Sequence, residues 1–293
     1  MSKRWLEFSV KVSFEYVEPV FNIFSKYSDN KVVLIETKNG LLEQDENLIE
    51  IVGWIDYDSE FCNSIKLIDI SLSLINQLSP IGELQKKIIN EEEWKNQTFS
   101  PIRVGENLIV SPHIIEPPNP SDIIIPLNPG LSFGTGYHPT TRMCLESLEQ
   151  NLTTNDVVLD LGSGSGILSI ASFMLGASRV ISFDIDDDAI RTTKDNISQA
   201  KISGNSLVIN GTLPNYNVSQ NSQDITVANI SSRVIIFLSK YLIGSIKSDG
   251  LLIVSGILDD TVLEVIRSLK KYGGNVHRKR KIDDWNLLEI RTS

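Results

Sequence analysis

Cysteine is nearly absent. Cys62 and Cys144 are the only two in 293 residues, and neither has the paired spacing of a metal site. No metal is expected, and two free thiols fit a reducing cytosol better than a disulfide scaffold. No unbroken apolar run approaches the roughly 18 residues that cross a bilayer. The stretch Met1-Ser2-Lys3-Arg4-Trp5 lacks the apolar core of a signal peptide. A cytoplasmic location away from membranes is therefore expected. On that reading the sequons at Asn96, Asn151, Asn210 and Asn217 carry no meaning. Positive charge is also in short supply. Lys and Arg total 27 against 37 Asp and Glu, for a formal net charge of -10. Such a surface repels phosphate backbones, which argues against nucleic acid and for a basic protein or an amine as partner. Acidity for solubility alone gives the same numbers.

What is present is an ordinary globular composition, 41% hydrophobic and 22% charged, in a chain long enough for two domains. Trp5 to Val12 alternates as a strand. Glu15 to Tyr27 has helical spacing, which puts Pro19 in the first turn. Lys31 to Thr37 and Asn47 to Ile55 read as strands. Phe61, Ile65, Ile68, Leu72, Ile75 and Leu78 step as a helix that Pro80 ends, and Leu84 to Ile89 reads as a strand. This order is that of a ferredoxin-like α+β module, assigned to residues 1–92. Residues 93–122 are rich in proline and read as a stiff connector, with a short hairpin at Arg103 to Val110.

Residues 123–293 alternate strands and helices, the pattern of a parallel doubly wound sheet. Strands are expected at Val157–Leu161, Arg179–Asp184, Leu207–Asn210, Ile225–Ile230 and Leu251–Gly256. Helices are expected at Thr140–Asn151, Ile167–Leu175, from Asp186 to about Gln199, Arg233–Lys247 and Asp259–Tyr272. Two closing strands, Val276–Lys281 and Trp285–Arg291, lack a helix between them and form an antiparallel edge.

The chemistry sits where the first of these strands ends. Gly162, Gly164 and Gly166 follow a strand and open a helix, where glycine lets the backbone approach a ligand closely. Asp184 ends the next strand and can accept both hydroxyls of a ribose. A dinucleotide site would read G-x-G-x-x-G. This segment reads D-x-G-x-G-x-G, with Asp160 two residues before the first glycine. A carboxylate there repels pyrophosphate and suits the ammonium end of S-adenosylmethionine, so a methyltransferase is favoured over a dehydrogenase. Asn229 ends the fourth strand. Its amide oxygen can accept an N–H from an incoming amine without adding charge. A lysine amine has a free pKa of about 10.4, so neutralising it at pH 7 costs about 4–5 kcal/mol. A carboxylate would hold the ammonium form; a neutral carbonyl orients the lone pair. An Asn that merely caps a turn is the bland alternative.

Five segments fall in register: Asn128-Pro-Gly-Leu-Ser-Phe-Gly-Thr-Gly-Tyr-His-Pro-Thr-Thr-Arg-Met-Cys-Leu-Glu, Asp160-Leu-Gly-Ser-Gly-Ser-Gly-Ile-Leu-Ser-Ile-Ala, Asp184-Ile-Asp, Ala228-Asn-Ile and Ser255-Gly-Ile-Leu. Together they resemble the ribosomal protein L11 methyltransferase family, within the class I S-adenosylmethionine-dependent methyltransferases. The resemblance implies a seven-stranded Rossmann-like domain behind the ferredoxin-like one. It implies S-adenosylmethionine as cofactor and methylation of lysine side chains and the N-terminal amine of ribosomal protein L11. It also implies that the N-terminal domain holds the substrate and swings on the connector. Phe133, Gly134, Thr135, Thr141, Asp160, Gly162, Gly164, Asp184 and Asn229 are the cofactor-contacting positions on this reading. Asn229 is the catalytic one, Phe133 to Gly136 form a lid, and His138 orders it. The alternatives are a related lysine methyltransferase with another protein target, or a cofactor-binding protein without turnover. A monomer is expected. The chain departs from the family at Asn128, Tyr137, Ser163 and Ser231-Ser232. Tyr137 and the two serines lie near the expected substrate channel, so they bear on target choice rather than on the reaction.

Overall fold

The structure is a computed structural model, and it describes residues 4–28, 32–36, 48–57, 61–77, 80–90, 101–111, 115–127, 138–202 and 205–292. The chain divides between Pro101 and Ile102 into two compact units.

The first unit contains strands β1 (Arg4–Val12), β2 (Val32–Glu36), β3 (Ile49–Asp56) and β4 (Gln85–Asn90), and helices α1 (Phe14–Tyr27) and α2 (Phe61–Asn76). The strand order is β2-β3-β1-β4 with every pair antiparallel, the arrangement of a ferredoxin-like sheet. Phe8 of β1 and Phe24 of α1, both fully buried, meet edge to face at 4.7 Å and tie helix to sheet. Two details differ from the sequence reading. Because α1 starts at Phe14, Pro19 lies in the second turn, where it removes one helical hydrogen bond. And α2 ends at Asn76, ahead of Pro80; the Asn76 side chain accepts from Ile81 N–H and turns the chain. Leu78 and the turn at Asn39-Gly40 lie outside the described residues.

The second unit begins with β5 (Ile102–Val104), β6 (Leu108–Ser111) and β7 (Ile123–Pro126) in one small sheet. The β5–β6 hairpin matches the expected one, and the segment read as connector thereby contributes strands to this unit. Two clamps hold this small sheet together and tie it to the helix that follows. Arg103 grips Asp122 with two bonds of 2.7 Å, which hold that carboxyl down to about 2. Glu149 accepts the N–H groups of Glu106 and Asn107, at 2.9 and 2.6 Å.

Next come α3 (Pro139–Asn151), β8 (Val157–Leu161), α4 (Ile167–Met174), β9 (Arg179–Asp184), α5 (Asp187–Gln199), β10 (Ser206–Asn210) and β11 (Gln223–Asn229). The chain closes with α6 (Ser232–Ser245), β12 (Ile246–Leu258), α7 (Val262–Lys271), β13 (Gly274–Ile282) and β14 (Trp285–Thr292). The seven-stranded order is β10-β9-β8-β11-β12-β14-β13, with only β14 and its two pairings antiparallel. Alternation assigns the faces. Leu159, Leu161, Ile181, Phe183 and Val254 join Ile235, Leu238, Val265 and Leu269 of α6 and α7 in one apolar core. The intervening residues turn the other way: Asp160 and Ser182 meet Ser169 of α4, and Glu289 meets Ser147 of α3. The chain runs from β8 outward to β10, then returns to β11 on the other side of β8. That reversal is the switch point at which ligands bind in open α/β sheets.

Two more boundaries moved. β12 already starts at Ile246, because its register against β11 jumps from Gln223↔Ile246 to Ile225↔Leu251 and Asp249-Gly250 is accommodated as a bulge. α7 starts at Val262, because Asp259 is held by Lys281 and by Asn286 Nδ2 instead of opening the helix. In β12 a second bulge puts one extra residue opposite β14, and Gly256 takes it at φ +81°. A Cβ on Gly256 would stand 2.4 Å from the Ile230 carbonyl oxygen. Gly256→Ala is therefore expected to destabilise the second unit by about 1–3 kcal/mol, read as a lower denaturant midpoint at unchanged slope. An unchanged midpoint would show that the bulge relaxes freely.

Candidate active site

At the switch point the end of β8 turns into the loop 162–166. Gly162 and Ser163 both donate their N–H to Phe183 carbonyl oxygen, at 2.8 and 2.9 Å, which keeps the loop against β9. Gly162 stands at φ +83°, and a Cβ there would come within 2.4 Å of Ile230 Cγ2. Only glycine combines this backbone conformation with that approach. Thr193 of α5 donates to Gly164 carbonyl oxygen, and Asn196 donates to Ser165 carbonyl oxygen. The loop is thus fixed from its outer side, and its inner side is backbone.

Asp184 closes β9 beside this loop. Oδ2 accepts Gly164 N–H at 2.9 Å and Oδ1 accepts Asp186 N–H at 3.0 Å. A carboxylate offers about four acceptor positions, so the two left over suit a diol. Next to it Ile185 is 78% exposed, an apolar side chain held out of the fold. Ile185 was missed in the sequence; its signal was a β-branched apolar residue between two acids just past a strand.

Asp160 is fully buried in β8. Oδ2 accepts Ser169 Oγ–H at 2.6 Å, and Ser169 and Ser182 hydroxyls are 2.7 Å apart. Oδ1 has no hydrogen-bond partner among the described residues. Burial, reinforced by the charge of Asp184, pushes the Asp160 carboxyl up to about 7. An orphaned buried acceptor is costly unless a donor reaches it. A cationic ligand would supply that donor; a phosphate would aggravate the repulsion.

Asn229 ends β11 on the other side of β8. Its Nδ2 donates to Thr141 Oγ1 at 3.3 Å, so Thr141 orients the amide and leaves Oδ1 for another donor. Thr141 sits in the first turn of α3, which Pro139 starts and His138 caps. His138 Nδ1 accepts Thr140 N–H at 3.3 Å and lies 2.7 Å from Thr140 Oγ1; the ring packs edge-on against Trp285. Burial lowers His138 to about 4. A residue so weakly basic, with Nδ1 engaged in a cap, orders the start of α3 and is unsuited to taking a proton from an amine.

The structure therefore brings Thr141, Asp160, Gly162, Gly164, Asp184 and Asn229 together around the ends of β8, β9 and β11. Phe133, Gly134 and Thr135 lie outside the described residues, as do Asn128, Tyr137 and His113. No group of three or more His, Cys, Asp or Glu arranged for a metal occurs among the described residues. Cys144 is buried, and its thiol is pushed far up by that burial.

The two shifted groups act on stability with opposite signs. Between about pH 4 and 6.5 the unfolded chain protonates its histidine while native His138 stays neutral, so this stabilisation is present above 6.5 and lost as pH falls toward 4. Between about pH 4 and 7 native Asp160 keeps a proton that the unfolded chain has released, so stability falls as pH rises. Each slope is at most about 1.4 kcal/mol per pH unit, and they oppose each other over the shared window. Removing one unmasks the other. In denaturant titrations from pH 4.5 to 6.5, Asp160→Asn should gain stability with rising pH relative to the parent, and His138→Asn, which keeps a capping side chain, should lose it. Parallel profiles for all three proteins would refute both assignments.

Comparison with known proteins gives this site a family. The family model described as "Ribosomal protein L11 methyltransferase (PrmA)" matches residues 4–293. The ribosomal protein L11 methyltransferase of Alkaliphilus metalliredigens is 34% identical over 308 residues, covering 97% of this chain and 96% of that protein. That of Chloroflexus aurantiacus is 32% identical over 317 residues and is covered, like this chain, to 97%. The crystal structure of ribosomal protein L11 methylase from Lactobacillus delbrueckii subsp. bulgaricus superposes with a TM-score of 0.61 at 27% identity, over 67% of this chain and all of that one. With the whole length matched and the glycine loop, Asp184 and Asn229 assembled at one switch point, the chain belongs to the ribosomal protein L11 methyltransferase family.

Proposed function

We propose that this methyltransferase uses S-adenosylmethionine to methylate lysine side-chain and N-terminal amines of ribosomal protein L11. The observation that carries the reading is the Asn229–Thr141 pair, a neutral amide with its oxygen left open, set beside two carboxylates at the switch point. Asp184 would hold the ribose hydroxyls, Ile185 would lie against the adenine face, and Asp160 would face the ammonium end. Gly162 and Gly164 give the backbone its close approach, and Phe133, Gly134 and Thr135 would cover the methionine end. The cofactor supplies an electrophilic methyl group on a sulfonium. The chain supplies position. Asn229 Oδ1 accepts an N–H of the neutral amine and points its lone pair into the site; Thr141 keeps the amide from flipping. No residue has to serve as a strong base, and His138 is too weak a base to be one. Residues 1–92 would present the substrate protein, and the net charge of -10 favours a basic one. A cytoplasmic monomer fits this role; among the described residues no helix is long and apolar enough to cross a membrane.

Purified L11 incubated with enzyme and cofactor should gain whole methyl increments in intact mass. Labelling of another protein in a lysate, with L11 unmodified, would leave the reaction and change the target. Asn229→Ala should lose about 100-fold in turnover while cofactor affinity stays within about threefold; equal losses in both would sink its assigned role. Asp184→Ala should weaken cofactor binding by about 10–100-fold, the worth of hydrogen bonds to a charged group. Unchanged affinity would remove Asp184 from the ribose site.

A further inference from the structure

Ser169 falls within the glycine-loop segment and Ser182 outside every motif, and neither has a role in the reading above. Both are fully buried, one on α4 and one on β9, and they meet under the glycine loop. Ser169 Oγ lies 2.6 Å from Asp160 Oδ2, with its proton given to the carboxylate. The same Oγ is 2.7 Å from Ser182 Oγ, so Ser182 must be the donor in that second bond. The three side chains form a one-way file: Ser182 donates to Ser169, and Ser169 donates to Asp160. Each bond polarises the next, which strengthens both in a dry interior. The file ends on Oδ2 and leaves Oδ1 as the buried acceptor without a partner.

We propose that Ser169 and Ser182 are positioning residues that hold the Asp160 carboxylate in register and partly ionised, so that Oδ1 receives the cationic end of the cofactor. This rests on the methyltransferase reading of the site. Without the file, the carboxylate is a buried acid with no side-chain donor among the described residues, and its neutral form gains. The groups that face Asp160 leave it little other help. Asp184, at the end of β9, is negative and disfavours ionisation. Cys144, on α3, is a buried thiol kept protonated. α4 has no titratable residue, and the one acid of β11, Asp224, is paired with Lys247 at 2.6 Å. Burial, with the charge of Asp184 behind it, pushes the carboxyl up, and the Ser169 hydroxyl is the main influence that pulls it back down and favours the ionised form. By linkage, a cation that favours ionised Asp160 must displace its proton on binding.

The test is calorimetric binding of S-adenosylmethionine, without any protein substrate, from pH 5.5 to 8 in buffers of different ionisation enthalpy. For the parent, affinity should rise with pH with a midpoint near 7, and binding near that pH should release a fraction of a proton. Ser169→Ala should move the midpoint to higher pH and lower affinity at pH 6.5 by about tenfold, the low end for a hydrogen bond to a charged group. Its deficit should shrink as pH approaches 8, and Ser169→Thr should restore the parent profile. Ser182→Ala, which removes only the outer donor, should shift the midpoint in the same direction by less, and it reports the effect if Ser169→Ala does not fold. A merely structural role predicts an equal affinity loss at every pH, and that result overturns the proposal. So does a parent that binds the cofactor without proton release. A parent that binds no cofactor at all overturns the methyltransferase reading itself.

Discussion

Ile230 occupies the space that two missing side chains leave open. It follows Asn229 directly. A Cβ on Gly162 would strike its side chain, and a Cβ on Gly256 would strike its carbonyl. Both glycines have positive φ, so backbone conformation and close approach act together at each. The three segments that meet here come from β8, β11 and β12, the strands on either side of the switch point. The distance between the glycine loop and the Asn229 amide is therefore set by van der Waals contact through one isoleucine. Packed interiors transmit such constraints stiffly. The proposed reaction, which depends on placing a lone pair, needs that stiffness more than it needs a reactive group.

The electrostatics follow from the same crowding. Asp160 and Asp184 flank a loop whose inner face is backbone, and neither faces a basic side chain among the described hydrogen bonds. In the commoner use of a glycine loop, phosphate meets N–H groups and the helix end. Here Gly164 N–H is already spent on Asp184, so the loop has turned from an anion cradle into a brace for a carboxylate. That difference argues against a dinucleotide site more firmly than glycine spacing does.

Much of this was legible in the sequence, for definite reasons. Buried parallel strands announce themselves as apolar runs, which is why β8, β9 and β11, with Asp160, Asp184 and Asn229 at or next to their ends, could be located to within a residue or two. The pairing of Thr141 with Asn229 required tertiary structure, since 88 positions separate them and no local pattern joins them. The role proposed for Ser169 was invisible because a serine in an apolar helix reads as filler. The β5–β6 hairpin was legible, but the pairing of β6 with β7 was hidden. Proline suggests a stiff link, and only the side chains of Arg103, Asp122 and Glu149 convert that stiffness into a third sheet. Helix starts moved where a side chain preferred a distant partner, as Asp259 does with Lys281.

Glu149 has a mechanical meaning. Its carboxylate ties the β5–β6 turn to the last turn of α3, the helix whose first turn carries Thr141. Arg103 and Asp122 bind the start of that small sheet to its end. The β5–β6 turn is consequently buckled to the helix that carries Thr141, and any displacement of that turn reaches α3 at the end farthest from Thr141.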